Sequence, residues 1–169
     1  MDRILVQTAD FDMNSEYRLL AEHSPATGAV VCFTGLVREF SEQSGVTGLT
    51  LEHYPGMTER SLAAIIAQAR TRWPLQKVTV IHRVGRLKTE DQIVFTGVSS
   101  AHRDAAFDAC RFIMDYLKTE APFWKKEHTE TGDNWVEARE KDQQARERWS
   151  TPEQSTPSQI TAGTGNSES

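Results

Sequence analysis

The chain is poor in the features that mark several common protein classes. Its two cysteines, Cys32 and Cys110, stand far apart in apolar runs, with no CxxC pair and no His/Cys spacing suited to zinc. That argues against a disulfide framework and a zinc module, and both thiols read as small buried hydrophobes in a reducing compartment. Basic residues are outnumbered, 19 against 24 acidic ones, for a net charge of −5. A general nucleic-acid binder or a protein of anionic membrane surfaces needs a basic face, so any anion site here must be local. No apolar stretch approaches the length of a membrane span, and the start, Met-Asp-Arg-Ile-Leu-Val-Gln, has no signal-peptide h-region. The expectation is a cytoplasmic protein with neither nucleic acid nor membrane as partner. No internal repeat is visible.

What is present suits one domain: 169 residues, 38% hydrophobic and 25% charged, can bury a real core. Residues 3–7 alternate like a short strand, and Asn14 or Ser15 could cap a short helix through Leu20. Gly28 to Gly35 is a nearly continuous apolar run, as expected of a strand covered on both faces. Arg38 follows where that strand opens into a polar loop, a place for a ligand contact or for an ordinary surface arginine. Leu49–Tyr54 reads as a strand with Leu49, Leu51 and His53 on one face. His53 could be a ligand, but a histidine on the inner face of a strand is more often a satisfied core polar group. Pro55-Gly56 turns the chain into an amphipathic helix from Met57 to about Arg72, ended by Pro74. Residues 77–85 and 92–98 read as two further strands, joined by a short hairpin-like linker, 86–91.

The chain is organised around residues 99–127. Ala106, Phe107, Cys110, Ile113, Met114 and Leu117 form the apolar stripe of a helix from about 101 to about 119, with Ser99 or Ser100 as cap and Ala121-Pro122 as stop. Its first turn carries His102 and Arg103, where the helix dipole already places roughly half a positive charge. Backbone N–H groups, an imidazole and a guanidinium in one turn suit an anion, although an arginine paired with a distant carboxylate would look the same. Lys118 lies in the last turn, where a lysine favours the dipole, and Lys125-Lys126 follow in an extended segment. Strand alternation puts Phe123 with Lys125 on one face and Trp124 with Lys126 on the other, without saying which face meets a pocket. A last short strand is expected around 134–137. Residues 137–149 carry four acidic and four basic side chains with Trp149 as the large apolar group, suiting a solvated helix or partly ordered arm. Residues 150–169 have the composition of a disordered tail. Mixed order of strands and helices predicts an α+β (mixed α/β) domain over 1–149, a mainly antiparallel sheet packed by two long helices.

Five motifs then occur in one order: Phe33-Thr-Gly-Leu-Val-Arg38, Leu51-Glu-His-Tyr-Pro-Gly-Met57, Ser100-Ala-His-Arg103, Phe112-Ile-Met-Asp-Tyr-Leu-Lys-Thr-Glu-Ala-Pro-Phe-Trp-Lys-Lys-Glu127 and Trp135-Val-Glu-Ala-Arg139. Together, over about residues 3–149, they resemble the large, catalytic subunit of molybdopterin synthase. The resemblance implies a sulfurtransferase of molybdenum-cofactor biosynthesis. A small ubiquitin-like carrier subunit, ending in a Gly-Gly thiocarboxylate, inserts its tail and delivers two sulfurs to cyclic pyranopterin monophosphate, forming the dithiolene of molybdopterin. Carried over by position, Lys118 and Lys125 match the catalytic lysines, and Arg38, His102, Arg103 and Arg139 match the lining of the anion pocket. The implied assembly is a homodimer of this subunit, a heterotetramer with the carrier, and no cofactor or metal is implied.

The residue chemistry agrees with that expectation. Arginines and a histidine at a helix N-terminus can neutralise a phosphate ester. Neither cysteine lies in a motif that would activate a thiolate, so the sulfur should come from outside the chain. A lysine beside other cations is driven toward its neutral form and becomes usable as base, proton donor or nucleophile. Arg103 and Lys118 are fifteen residues apart, roughly 22 Å along one helix, too far to close on one small ester. A two-fold dimer that sets His102, Arg103 and Arg139 of one subunit against Lys118, Lys125 and Arg38 of the other would solve this. A non-catalytic phosphate-ligand or peptide-binding module remains the rival class; it would need the arginines but not both lysines.

Overall fold

The computed structural model describes residues 2–38, 46–129, 132–136 and 140–150. Among them run β1 (Arg3–Gln7), α1 (Met13–Ala21), β2 (Ala29–Leu36), β3 (Val46–His53), α2 (Met57–Arg72), β4 (Leu75–Arg83), β5 (Gly85–Lys88), β6 (Gln92–Ser100), α3 (Arg103–Glu120), β7 (Phe123–Thr129), β8 (Gly132–Val136) and α4 (Glu140–Glu147). The strands form two four-stranded sheets, β1-β4-β6-β2 and β5-β3-β7-β8. Only β1 with β4 is parallel; every other pair is antiparallel. The α+β class with mainly antiparallel pairing therefore holds, with the strands divided between two sheets.

The period-2 pattern of the first sheet feeds two cores. Val78, Val80, Val94 and Val98 turn to one face and pack with Leu62, Ile65, Ile66 and Ala69 of α2 and with Ala109, Phe112, Ile113 and Leu117 of α3. Ile81 and Phe95 turn to the other and meet Phe11 and Leu20, so α1 closes that side. Val37, Leu49, Leu51 and Leu87 form a third cluster under the second sheet. Glycine enables two junctions. At Gly28 a Cβ would come within 2.2 Å of the Ala101 carbonyl oxygen, so only glycine allows the chain to pass the entry to α3. Gly85, at φ +85°, turns the chain from β4 in the first sheet into β5 in the second.

Several expectations need correction. Residues 85–88 are a strand paired with β3 and not part of a simple hairpin linker, because the Gly85 corner redirects them. β2 is an edge strand whose first half is covered on both faces, Val31 by one core and Val30 and Cys32 by the other, whereas Phe33 and Leu36 further along are exposed. Asp12, not Asn14 or Ser15, caps α1, accepting from the N–H groups of Asn14 and Ser15. Ser99 and Ser100 do not cap α3: they are buried at the end of β6, with Ser100 donating to the Pro74 carbonyl at 2.8 Å, and His102 is the cap residue. Phe107 is 61% exposed, and Phe112 and Tyr116 take the place in the buried stripe that it was expected to hold. Trp149 is no stray apolar group on an arm. It meets the rings of Trp73 and Phe112 edge-on at 5.5 Å, and its Nε1 donates to Asp115 at 2.8 Å. The expected tail lies outside the described residues beyond Ser150.

Candidate active site

Helix α3 stops at Ala121, which is extended (φ −75°, ψ 131°) because Pro122 follows, and the chain turns straight into β7. Lys118 is exposed in the last helical turn, and Lys125 is the third residue of the strand. In the register of the second sheet, Lys125 lies opposite Leu51 on one side and Val136 on the other, whereas Lys126 lies opposite Thr50 and Trp135. Directly opposed side chains share a face. Lys125 therefore issues on the face of buried Leu51 and half-buried Phe123, the face from which Phe123 meets His82 of the first sheet. Lys126 issues on the other, over the Trp135 ring at 5.7 Å and 3.6 Å from Asp133. Which face each lysine takes, left open by alternation alone, is thus defined.

Two histidines complete this corner. His82, buried on the helix-covered face near the end of β4, stacks on Phe123 at 3.8 Å and 20°. Burial above all holds its pKa down at about 4; the hydrogen bond to the Arg83 carbonyl pulls it upward, and the charges of Lys118 and His53 add lesser downward pushes. The ring is neutral, and since a carbonyl can only accept, the Nδ1 that lies 2.9 Å from the Arg83 oxygen carries the proton. Nε2 is left as an acceptor. His53 ends β3 opposite Phe123, half-buried, with its Nε2 3.9 Å from Glu59. Sequence reading passed over His82. Its one signal was strand alternation, which puts it in phase with Val78 and Val80.

The cations expected to bind an anion are distributed differently. Arg38 is exposed one residue beyond Val37, which packs in the cluster of Leu51, the register partner of Lys125. His102 and Arg103 are exposed at the far end of α3. His102 caps with no side-chain bond, and the ion-pair partner of Arg103 among the described residues is its neighbour Asp104, at 4.0 Å. Arg103 and Lys118, fifteen positions apart, lie in one unbroken helix, about 22 Å of rise. One chain thus brings Lys118, Lys125 and the Arg38 segment to one region and leaves His102 and Arg103 at another. Arg139 lies outside the described residues.

The thiols are poorly suited to carrying sulfur. Burial pushes Cys110 up to about 12 and also raises half-buried Cys32, so neither is a ready thiolate. Among the described residues no group of three or more His, Cys, Asp or Glu could hold a metal ion, and no helix is long and apolar enough to cross a membrane.

Comparison with known proteins gives this corner a family. The model of the MoaE protein family matches residues 6–120. The molybdopterin synthase catalytic subunit of Salmonella typhimurium is 61% identical over 147 residues, 87% of this chain and 97% of that protein. Among solved structures, the molybdopterin biosynthesis MoaE protein from Burkholderia ambifaria superposes with a TM-score of 0.77 at 50% identity, over 90% of this chain and all of that one. A Helicobacter pylori structure, a protein-protein complex of subunits 1 and 2 of molybdopterin-converting factor, shares the fold at 17% identity, a TM-score of 0.65 and 82% and 91% of the two chains. The fold is that of a molybdenum-cofactor biosynthesis enzyme. The chain belongs to the MoaE protein family, whose similar members are molybdopterin synthase catalytic subunits.

Proposed function

We propose that this chain is the catalytic subunit of a molybdopterin synthase, moving sulfur from the C-terminal thiocarboxylate of a small ubiquitin-like carrier onto cyclic pyranopterin monophosphate to form the dithiolene. The observation that carries the reading is the corner itself: in a chain of this family, the charge of Lys118 bears on a buried, neutral histidine, and Lys125 follows two residues after the Phe123 ring that stacks on it. Lys118 and Lys125 do the chemistry, as acid and base or as nucleophile. Arg38, His102, Arg103 and Arg139 hold the phosphate of the substrate. The carrier tail enters extended and ends in glycines, since only glycine lets backbone approach a crowded lysine site closely. The Helicobacter pylori neighbour, a complex of two subunits, is in keeping with such a partner.

The subunit works as a homodimer, and as a heterotetramer with the carrier. Each site takes His102, Arg103 and Arg139 from one copy and Lys118, Lys125 and Arg38 from the other, because α3 is too long for one chain to join its two ends around one ester. The cytoplasm, where carrier and pterin would be met, is its setting. Incubation of the chain with thiocarboxylated carrier and the cyclic pterin should yield the dithiolene product by mass. No product from the folded chain would overturn the reading, and unchanged transfer from a carrier lengthened by one C-terminal residue would overturn the docking of its tail.

A further inference from the structure

The corner that carries both lysines has little of its own to hold it in shape. Pro122 has no N–H to give, and the turn's internal backbone bond is from the Phe123 N–H to the Ala121 carbonyl, at 2.9 Å. Two contacts from elsewhere in the fold fall on consecutive residues of this turn. Thr58, fully buried in the first turn of α2, donates through Oγ1 to the Pro122 carbonyl at 3.0 Å and accepts from the Tyr54 N–H at 3.1 Å. His82, from β4, lies flat on Phe123. Neither residue is fully explained by its own element. The Thr58 hydroxyl accepts locally from the Tyr54 N–H, beside Glu59, which accepts from the Gly56 N–H at 2.6 Å, but its proton goes to a carbonyl 64 positions away. An aliphatic side chain would fill the His82 position without the cost of burying an imidazole.

We propose that Thr58 and His82 are positioning residues that clamp the turn between α3 and β7 from two sides, so that Lys118 and Lys125 present their ammonium groups to one reacting centre. The proposal rests on the sulfurtransferase reading of the two lysines. Thr58 sets the height of the turn through the Pro122 carbonyl. His82 sets the azimuth of β7 through the Phe123 ring, and Lys125, two residues on and on the same face, moves with it. A displacement of about 1 Å at a reacting group can cost on the order of a hundredfold in rate, so a clamp of this kind acts on turnover and not on substrate affinity.

The experiment compares paired variants in the carrier-dependent reaction, reading kcat, KM for the pterin and melting temperature. Thr58→Val removes the donor at nearly constant shape, and Thr58→Ser keeps it; His82→Ala removes the ring, and His82→Phe keeps a ring on Phe123. Thr58→Val and His82→Ala are expected to lower kcat by about tenfold or more with KM within about threefold. Thr58→Ser and His82→Phe should return to within about threefold of the parent kcat. The clamp is refuted if folded Thr58→Val and His82→Ala turn over at the parent rate, or if Ser and Phe rescue nothing. Should His82→Ala not fold, the Thr58 pair decides alone. Lys118→Ala and Lys125→Ala run alongside: active lysine variants would sink the sulfurtransferase reading, whereas inactive ones beside a fully active Thr58→Val would sink the clamp only.

Discussion

Helix α3 has two ends, and they are built on opposite plans. At the C-terminal end Lys118 suits the helix dipole, and the turn after it is held by Thr58 and His82 and continued by a strand paired on both sides. At the N-terminal end Arg103 works against the dipole, with exposed His102 before it and an adjacent aspartate at 4.0 Å from Arg103 as partial relief. Their exposure is not accounted for by packing. One end is held by contacts from elsewhere in the fold, and the other presents an exposed arginine and histidine.

The largest effect should fall where organisation is greatest. Lys118→Ala and Lys125→Ala are each expected to lose about a hundredfold or more of turnover while melting within a few degrees of the parent, since neither belongs to a core cluster. Near-normal turnover of Lys118→Ala would erase the difference between the ends. The exposed end is sharpened by mixing inactive Lys118→Ala and Arg103→Ala chains under conditions of subunit exchange. If sites are shared, each mixed dimer holds one intact and one doubly defective site, and random exchange restores roughly a quarter of the sites. No recovery after verified exchange would put all these residues in one chain.

The organised end should also show in the response to acid. His82 is held near 4 in the fold against 6.5 for a free histidine, so between those values the unfolded chain binds the extra proton. Stability from this residue is thus complete above about 6.5 and is lost as pH falls towards about 4; at about 1.4 kcal/mol per pH unit it reaches about 3 kcal/mol. Denaturant titrations of parent and His82→Phe across that window should diverge in slope. Parallel curves would mean the imidazole is not held neutral.

Much of this was legible because it rests on short-range rules. The stripe of α3, its stop at Pro122 and the separation of Lys125 from Lys126 follow from period and proline chemistry, and α2 runs from Met57 to Arg72 as read. What escaped depends on contacts between residues remote in sequence. The stacking of His82 on Phe123 spans two sheets, and the redirection of 85–88 hinges on one left-handed glycine that looked like the end of a strand. Phe107 had the right spacing for the stripe, but a helix on an open-edged sheet buries a face set by its neighbours, and that face takes Phe112 instead.

A smaller effect concerns the brace behind the organised end. Trp149 packs on Trp73 and Phe112, and Arg146 pairs with Glu120 at 3.0 Å, tying α4 along α3. Trp149→Ala should cost about 2–3 kcal/mol, roughly 5–10 °C in melting temperature. Truncation after Trp149 should leave melting and activity unchanged, because residues 150–169 carry too little apolar surface to offset the entropy of ordering. A large loss on that truncation would show that the tail docks.

The smallest expected effect is the most discriminating test of facing. Lys126 is adjacent to Lys125 and carries the same charge, so any account resting on local positive potential treats the two alike. The register separates them: Lys126 shares its face with Thr50 and Trp135, and its ammonium is 3.6 Å from Asp133. An exposed pair of that kind is screened by water and contributes little, and the Trp135 ring adds about as little. Lys126→Ala should therefore leave turnover within about threefold of the parent and melting within about two degrees. A loss as deep as that of Lys125→Ala would mean that β7 presents its opposite face to the substrate. The stack of Phe123 on His82 would then have to break, since both cannot face inward from one strand.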